Sequence, residues 1–530
     1  MTSENALLSA IEKVAVESPD AVAYASAGAD EVTYGELWRT SGLIAGVLVD
    51  CVVGRGPIIV TGEKDALIVA TFLACLRSGH AFVPIDAELP VARVHNIASQ
   101  IGGAVILSTC DLRPELKDEL DHIATIFDAR ELLASAYGFE APSPDVWATG
   151  EETQYIIFTS GSTGRPKGIE VTANDVAHFM DWMDGFPVVR DGGRVFLDQA
   201  HYSFDLSEYE LVGALSTGGT LHAVSDVESK DYPALFADLA SSGVEVWVST
   251  PSFADLCLVD HSFDVNLLPD LKIFLFCGEP LHHTTVGKLR KRFPGAIVAN
   301  TYGPTESTVA VTYCEIDDAA LVDDATLPVG RARPGTELRI IDHETGKVLP
   351  FGQTGEIVIC GDTVAKGYYK NPEKTAEAFF PSSLSDGTPM RAYRTGDLGH
   401  LDETGMLYCK GRLDSLVKVN GLRIELSEVE GALEEIHCVT QAAVVPVEYH
   451  GKVQSLCAFV VVDEGRARVL LGREASSSEF DLGRALKAEL GRTLPVYMVP
   501  RRVRVLEDMP LNENGKCDRK ALVASLASRR

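Results

Sequence analysis

No run of about 20 apolar residues occurs anywhere in the chain, the length a helix needs to cross a bilayer, so membrane insertion is not expected. Nor is there a C-x-x-C pair or a Cys/His cluster at zinc-ligand spacing, which argues against a structural zinc site. The eleven cysteines lie singly between Cys51 and Cys517, an odd and dispersed set that fits reduced thiols in a cytoplasm. Positive charge is scarce: 47 Lys and Arg stand against 76 Asp and Glu, a net charge of −29. Non-specific nucleic-acid binding needs Lys and Arg to neutralise phosphates, so no nucleic-acid partner is expected, and anionic membrane surfaces are disfavoured. Met1-Thr-Ser-Glu-Asn-Ala-Leu-Leu8 lacks the basic start and long apolar core of a signal peptide. It reads instead as an amphipathic helix capped by Ser3 or Asn5. The expected localisation is cytoplasmic.

What is present is ordinary in bulk: 46% hydrophobic and 23% charged residues, as in soluble globular proteins. The 530 residues exceed the roughly 250–300 at which single cores stop growing, so more than one domain is expected. Short apolar runs (56–61, 104–107, 244–249, 271–276) alternate with helical patterns (66–77, 282–293) through the first ~400 residues. Such runs read as βαβ units around a mainly parallel sheet. From 338 to 359 the pattern turns to short strands and turns. After 417 come strand, helix (425–434), two strands (439–445, 456–462) and helix (480–490), an α+β block. The polar stretch Gly411-Arg-Leu-Asp-Ser415 separates the two parts.

The segment Tyr155-Ile-Ile-Phe-Thr-Ser-Gly-Ser-Thr-Gly-Arg-Pro-Lys-Gly168 joins a buried-strand pattern to a hydroxyl- and glycine-rich loop. Glycines let backbone N–H groups turn toward an anion, and hydroxyls and Lys167 add donors and charge. The loop suits a polyphosphate. It is not a Walker A loop, because Pro166 precedes the lysine and Gly168 follows it. Taken alone it reads equally well as a Ser/Gly surface loop.

Further motifs surround it in a fixed order: Val32-Thr-Tyr-Gly-Glu-Leu37, Arg77-Ser-Gly-His-Ala-Phe-Val-Pro-Ile-Asp86, then the loop and Phe204-Asp-Leu-Ser207. Asn300-Thr-Tyr-Gly-Pro-Thr-Glu306, Gly355-Glu-Ile-Val-Ile359, Tyr393-Arg-Thr-Gly-Asp397, Gly411-Arg-Leu-Asp414 and Asn514-Gly-Lys-Cys-Asp-Arg519 follow. From about Val32 to Leu522 the chain thereby resembles the adenylate-forming enzymes. The likeness is to the amino-acid-activating adenylation domains of nonribosomal peptide synthetases and their stand-alone relatives. It implies an α/β fold: a large N-terminal domain (1–412) of mainly parallel sheets flanked by helices, with a small β-rich subdomain. A mobile α+β C-terminal domain (413–530) would carry a catalytic lysine.

The resemblance also implies roles. A carboxylate attacks the α-phosphate of ATP to give an acyl-adenylate, and a thiol then displaces AMP. Thr159, Ser160, Thr163 and Lys167 are expected at the β- and γ-phosphates, Gly161, Asn300 and Thr301 elsewhere in the ATP site, and Tyr302 stacking on adenine. Thr305 is expected at the α-phosphate and Glu306 on Mg²⁺, a hard cation that prefers oxygen ligands. Asp397 is expected at the ribose hydroxyls, and Arg412 at ribose or phosphate. Lys516 matches the catalytic lysine that bridges the attacking carboxylate and the α-phosphate. Asp414 matches the hinge, Gly421 the face lining the thiol channel, and His201 the aromatic gate beside the carboxylate.

Asp205 matches the aspartate that pairs with a substrate α-ammonium; a helix N-cap is its other reading. The side-chain pocket is expected from Leu206, Tyr209, Val248, Leu275, Cys277, Gly278, Thr301, Val309 and Ala310. This wall is apolar and uncharged, so a charged side chain would arrive unpaired. The motifs lie nearest the D-alanine–carrier protein ligases, in which a cysteine at the place of Cys277 contributes to preference for the D isomer; a plain core cysteine is the alternative. Glu208-Tyr-Glu210 departs from that pattern. The expected activity is that of an amino acid–[carrier protein] ligase, which activates a small α-amino acid, alanine of either hand, with ATP and Mg²⁺. The expected acceptor is a separate phosphopantetheinylated carrier protein, docked through basic stretches such as 288–292, 501–504 and 519–520. The alternatives are an acyl-CoA ligase for a small carboxylic acid, a loader of another small or β-amino acid in natural-product biosynthesis, and a degenerate, non-catalytic scaffold.

Overall fold

The computed structural model describes residues 4–160, 165–225, 231–321, 326–413, 416–449, 452–471, 479–510 and 517–527. The chain groups into two compact units. One comprises residues 1–87, 101–158 and 168–413; the other comprises 88–100, 159–167 and 414–530.

The first unit is built on two large sheets. Fully buried apolar runs need partners on both faces, and the short strands Val246–Ser249 and Ile273–Phe276 are buried at every position. They lie side by side in a nine-stranded sheet, parallel to Val195–Asp198 and Ile297–Tyr302. The sheet continues through Thr220–Ala223 and Val22–Ser26, and turns antiparallel only at its margins, at Val32–Thr33, Thr312–Glu315 and Arg331–Ala332. A seven-stranded sheet runs Gly367–Tyr368, Lys167–Thr172, Thr153–Thr159, Phe82–Asp86, Ile58–Gly62, Ala104–Ser108, Ala124–Asp128, again with parallel central pairs. A five-stranded antiparallel sheet (Thr336–Ile341, Gly355–Gly361, Phe379–Ser383, Pro389–Leu401, Leu407–Arg412) supplies the β-rich part.

Local signals set the helices. Ala66–Arg77 starts where the Asp65 carboxylate accepts from Ile68 N at 2.8 Å, and it is buried from Ile68 onward. Tyr34–Cys51 carries a full capping box from Thr33 and Glu36. The N-terminal helix, Ala6–Glu17, is capped by Asn5, one of the two residues expected; Ser3 lies outside the described residues. Behind the nine-stranded sheet, Trp247, Phe263, Phe274 and Phe293 form an aromatic core with ring centroids 5.1–6.5 Å apart.

The second unit holds the hairpin Leu416–Val419/Leu422–Glu425 and the helix Leu426–Glu434. A three-stranded sheet, Val439–Tyr449, Lys452–Val462 and Arg502–Leu506, packs against the helix Glu479–Thr493. Its core joins Leu433, Val444, Val460, Leu486, Leu490 and Met498. The expected α/β class, with mainly parallel sheets, a β-rich part and a C-terminal α+β block, is the architecture found. The expected strand at 439–445 extends to Tyr449, and that at 456–462 starts at Lys452, because the two pair antiparallel along their whole length.

Candidate active site

The phosphate-loop residues belong to the second unit. Thr159 is buried, and its Oγ1 has no hydrogen-bond partner among the described residues. Ser160 Oγ donates to the Arg423 carbonyl at 2.9 Å and accepts from Glu425 N at 3.2 Å. Lys167 Nζ lies 3.9 Å from Glu425 Oε1. Gly421 sits in the hairpin turn at φ +81°, a left-handed backbone that favours glycine. Gly161, Thr163, Asp414 and Lys516 lie outside the described residues.

The nucleotide-side expectations fall on one strand and the turn after it. Ile297–Tyr302 is an interior strand of the nine-stranded sheet and delivers Asn300, Thr301 and Tyr302 in succession. Asn300 Nδ2 donates to Pro328 O at 2.7 Å, while its buried Oδ1 has no partner among the described residues. Thr301 Oγ1 donates to Phe276 O at 2.8 Å, across to the neighbouring strand. The Tyr302 hydroxyl donates to Asp397 Oδ2 at 2.7 Å, and Arg412 pairs with Asp397 Oδ1. Burial, and then the charge of Asp397, push the Tyr302 phenol far above its ordinary range, so it stays a donor. The expected adenine, ribose and ribose-or-phosphate residues thus form one hydrogen-bonded chain.

Thr305–Ser307 is a 3₁₀ turn in which both Thr305 and Glu306 are buried. The Tyr368 hydroxyl donates to Glu306 Oε1 at 2.9 Å. Directly after it, Thr308 and Val309 both adopt left-handed backbones, at φ 58° and 67°. For a β-branched residue that conformation is strained, at a cost of about 1–3 kcal/mol each. It is held by Thr308 Oγ1 donating to Thr363 O at 2.8 Å and by Cys277 Sγ, 3.9 Å from the Val309 carbonyl.

The acid-side residues also converge. Val248 and Leu275 are buried on adjacent parallel strands and face each other in register. Cys277 and Gly278 (φ +90°) follow the second strand. Tyr209 lies on the helix Ser207–Ser216 and is fully buried, and its hydroxyl is near Cys277 and Thr301. Ala310 and Val309 are buried; Leu206 is half-buried at the helix start. His201 Nδ1 sits 3.7 Å from Asp86 Oδ1, and Ser203 Oγ donates to Asp86 Oδ2 at 2.7 Å. Burial alone would raise the Asp86 carboxyl, but the bonds from His201 and Ser203 and the charges of His201 and Lys64 outweigh it and hold it below the carboxylate range. Asp205 is half-buried just before the helix. The helix cap is Leu206 and makes no side-chain cap bond, so Asp205 does not occupy the N-cap position.

Sequence reading missed the Tyr368 support of Glu306, and it missed a buried cluster behind the acid side. There Lys64 pairs with Asp198, the Tyr202 hydroxyl donates to Asp198 Oδ2 at 2.5 Å, and Glu210 Oε1 accepts from the N–H groups of Gln199 and Ala200 at 3.2 Å. The only sequence signal was the departure at Glu208-Tyr-Glu210. The basic stretches are partly spent on the fold: Arg290 pairs with Asp318, Arg292 bonds the carbonyls of Leu258 and Phe263, and Arg519 pairs with Glu430.

The family model described as AMP-binding enzyme matches residues 11–369, and that described as AMP-binding enzyme C-terminal domain matches residues 428–516. The chain belongs to the AMP-binding enzyme family. One relative is a D-alanine–D-alanyl carrier protein ligase of Bacillus licheniformis, 40% identical over 518 residues that span 97% of this chain and 98% of that protein. Among solved structures, an NRPS protein containing adenylation and PCP domains, bound to a vinylsulfonamide inhibitor, superposes with a TM-score of 0.81 at 25% identity. The match covers 98% of this chain and 84% of that one. A Vibrio cholerae adenylation domain in complex with glycyl-adenosine-5'-phosphate superposes with a TM-score of 0.78 at 25% identity, covering 100% and 98%.

The residues present suit an AMP-binding enzyme. Asn300 Oδ1 is an orphaned buried acceptor fit for an exocyclic amine, and Thr159 Oγ1 is an orphaned donor fit for a phosphate oxygen. Glu306 offers one carboxylate to a hard cation. Among the described residues there is no group of three or more His, Cys, Asp or Glu that could hold a metal ion. No helix among the described residues is long and apolar enough to cross a membrane.

Proposed function

We propose that this protein activates a small α-amino acid, alanine or one of similar size, as its aminoacyl-AMP and transfers it to the phosphopantetheine thiol of a separate carrier protein. The observation that carries this reading is Asp205. This acidic side chain stands just before the helix that carries Tyr209, and its charge reaches the buried Tyr209 phenol, which also lies near Cys277 and Thr301; Val248, Leu275, Val309 and Ala310, the other expected pocket residues, are buried and apolar. The D-alanine–D-alanyl carrier protein ligase relative supports the same substrate class and acceptor.

In this reading Asp205 pairs with the substrate ammonium and the apolar wall admits a methyl group while rejecting charge. His201, steadied by Asp86, lies beside the substrate carboxylate. Asp397 takes the ribose hydroxyls, and Tyr302 covers the adenine face. Thr159, Ser160, Gly161, Thr163 and Lys167 hold the β- and γ-phosphates, and Thr305 the α-phosphate. Mg²⁺ on Glu306 would supply charge neutralisation for the pyrophosphate. Lys516 stabilises the charge that builds as the carboxylate oxygen bonds the α-phosphorus and pyrophosphate leaves. The thiol then adds to the acyl carbon, and AMP departs with its bonding electron pair. We assign ATP and amino-acid binding to residues 1–412 and delivery of Lys516 to residues 413–530, with Asp414 as the hinge and Gly421 on the thiol face.

Amino-acid-dependent exchange of pyrophosphate into ATP tests the reading. D- or L-alanine should drive exchange, while acetate and benzoate should not; the reverse result would make the protein a carboxylic-acid ligase. Lys516→Ala should abolish exchange while ATP binding, read by calorimetry, stays largely intact.

A further inference from the structure

Three successive bonds open the helix that follows Asp205, the proposed ammonium partner: Ser207 N to Phe204 O at 3.1 Å, Glu208 N to Asp205 O at 3.0 Å, and Tyr209 N to Leu206 O at 3.2 Å. All are i→i+3 bonds, the pattern of a 3₁₀ turn, in which side chains three residues apart eclipse one another. The turn therefore places Glu208 on the same side as Asp205. Glu208 is only 3% exposed, and no described residue donates a hydrogen bond to its carboxyl group or forms an ion pair with it. Beside it stands Tyr155, whose hydroxyl is sealed from solvent and also lacks a partner among the described residues. Burial, and then the charge of Asp205, push the Glu208 carboxyl up to about 8, so at neutral pH it is mostly a neutral acid.

A buried acid without a partner costs stability, and its retention calls for a ligand that completes its hydrogen bonds. A protonated amine carries three N–H donors, more than a single carboxylate can satisfy in line. We propose that Glu208 is a second amine-recognising group, its carbonyl oxygen taking one N–H of the substrate ammonium while Asp205 takes another. Glu208 is thus a specificity-determining residue, selecting acids that bear a protonated amine over otherwise identical acids without one. This rests on the aminoacyl-AMP reading above and names how its substrate is told from a plain carboxylic acid.

The test uses two stable adenylate mimics on the full chain: alanyl-sulfamoyl-adenosine, which carries the amine, and propionyl-sulfamoyl-adenosine, which lacks it. Calorimetry compares wild type with Glu208→Val, which keeps bulk and removes the acceptor, and with Glu208→Gln, which keeps a neutral carbonyl acceptor. The Val variant should bind the aminated mimic about tenfold more weakly and the desamino mimic unchanged, and the Gln variant should stay within about threefold of wild type for both. Equal losses for the two mimics in the Val variant, or no loss for either, would overturn the role of Glu208. Failure of the wild type to bind either mimic would instead overturn the adenylation reading itself. If Glu208→Val does not fold, weakening of the aminated mimic alone in Glu208→Leu decides the same question.

Discussion

Asp397 serves two partners at once, accepting from the Tyr302 hydroxyl at 2.7 Å and pairing with Arg412. Asp397→Asn keeps the shape, removes the charge that Arg412 faces and weakens acceptance from Tyr302. Hydrogen bonds to charged groups contribute about 1.5–3 kcal/mol, so the apparent KM for ATP should rise about tenfold or more while that for the amino acid holds, as read by exchange kinetics. Tyr368→Phe strips the donor from Glu306 Oε1 and leaves a buried carboxylate short of a bond. Denaturant melts should show a loss of about 1–3 kcal/mol, and exchange should need a higher Mg²⁺ concentration. Asp205, Tyr302, Glu306 and Asp397 could be singled out as candidates in the sequence because each sits in a contiguous motif. Tyr368 and the Lys64–Asp198–Glu210 cluster were not, because their partners lie 62, 134 and 11 residues apart and no local spacing encodes the pairing.

The close approach of the strand Ile297–Tyr302 to the turn that follows depends on Gly303. A Cβ there would fall 2.4 Å from the Ala310 Cα and 2.8 Å from the Val309 carbonyl, both backbone atoms that cannot swing aside. Gly303→Ala should cost several kcal/mol in denaturant melts and weaken ATP and amino acid together, because this turn carries residues of both proposed sites. Gly287 is the contrast. It lies inside the helix His283–Arg292 with nothing within 4 Å of its would-be Cβ, so Gly287→Ala should stabilise by roughly 0.5–1 kcal/mol. Helix and strand placement was largely readable: Ala66–Arg77 matches the expected span at both ends, since Asp65 caps it and Gly79 follows it. What periodicity did not carry was which strands neighbour which. The order of the nine-stranded sheet interleaves Val22–Ser26 with Thr220–Ala223, a pairing nearly 200 residues apart.

Two electrostatic consequences concern the molecule as a whole. A net charge of −29 repels itself, so raising NaCl from tens of millimolar to about 0.5 M should lift the melting temperature by a few degrees. Glu208 adds a pH term of definite sign. Its folded-state value of about 8 lies above the ordinary 4.5, so between those values the folded protein keeps a proton that the unfolded chain has lost. Stability from this group therefore falls as pH rises, by about 1.4 kcal/mol per unit across that window. Glu208→Gln should flatten the decline in melts taken from pH 5 to 8, and an unchanged slope would contradict it. The left-handed Val309 draws on the same reserve of stability. Its backbone is wound the wrong way for its side chain, so the wall of the proposed pocket behaves as a cocked spring that its neighbours keep from relaxing. Val309→Gly should release it, giving a protein that melts later yet discriminates less sharply between alanine and its larger neighbours.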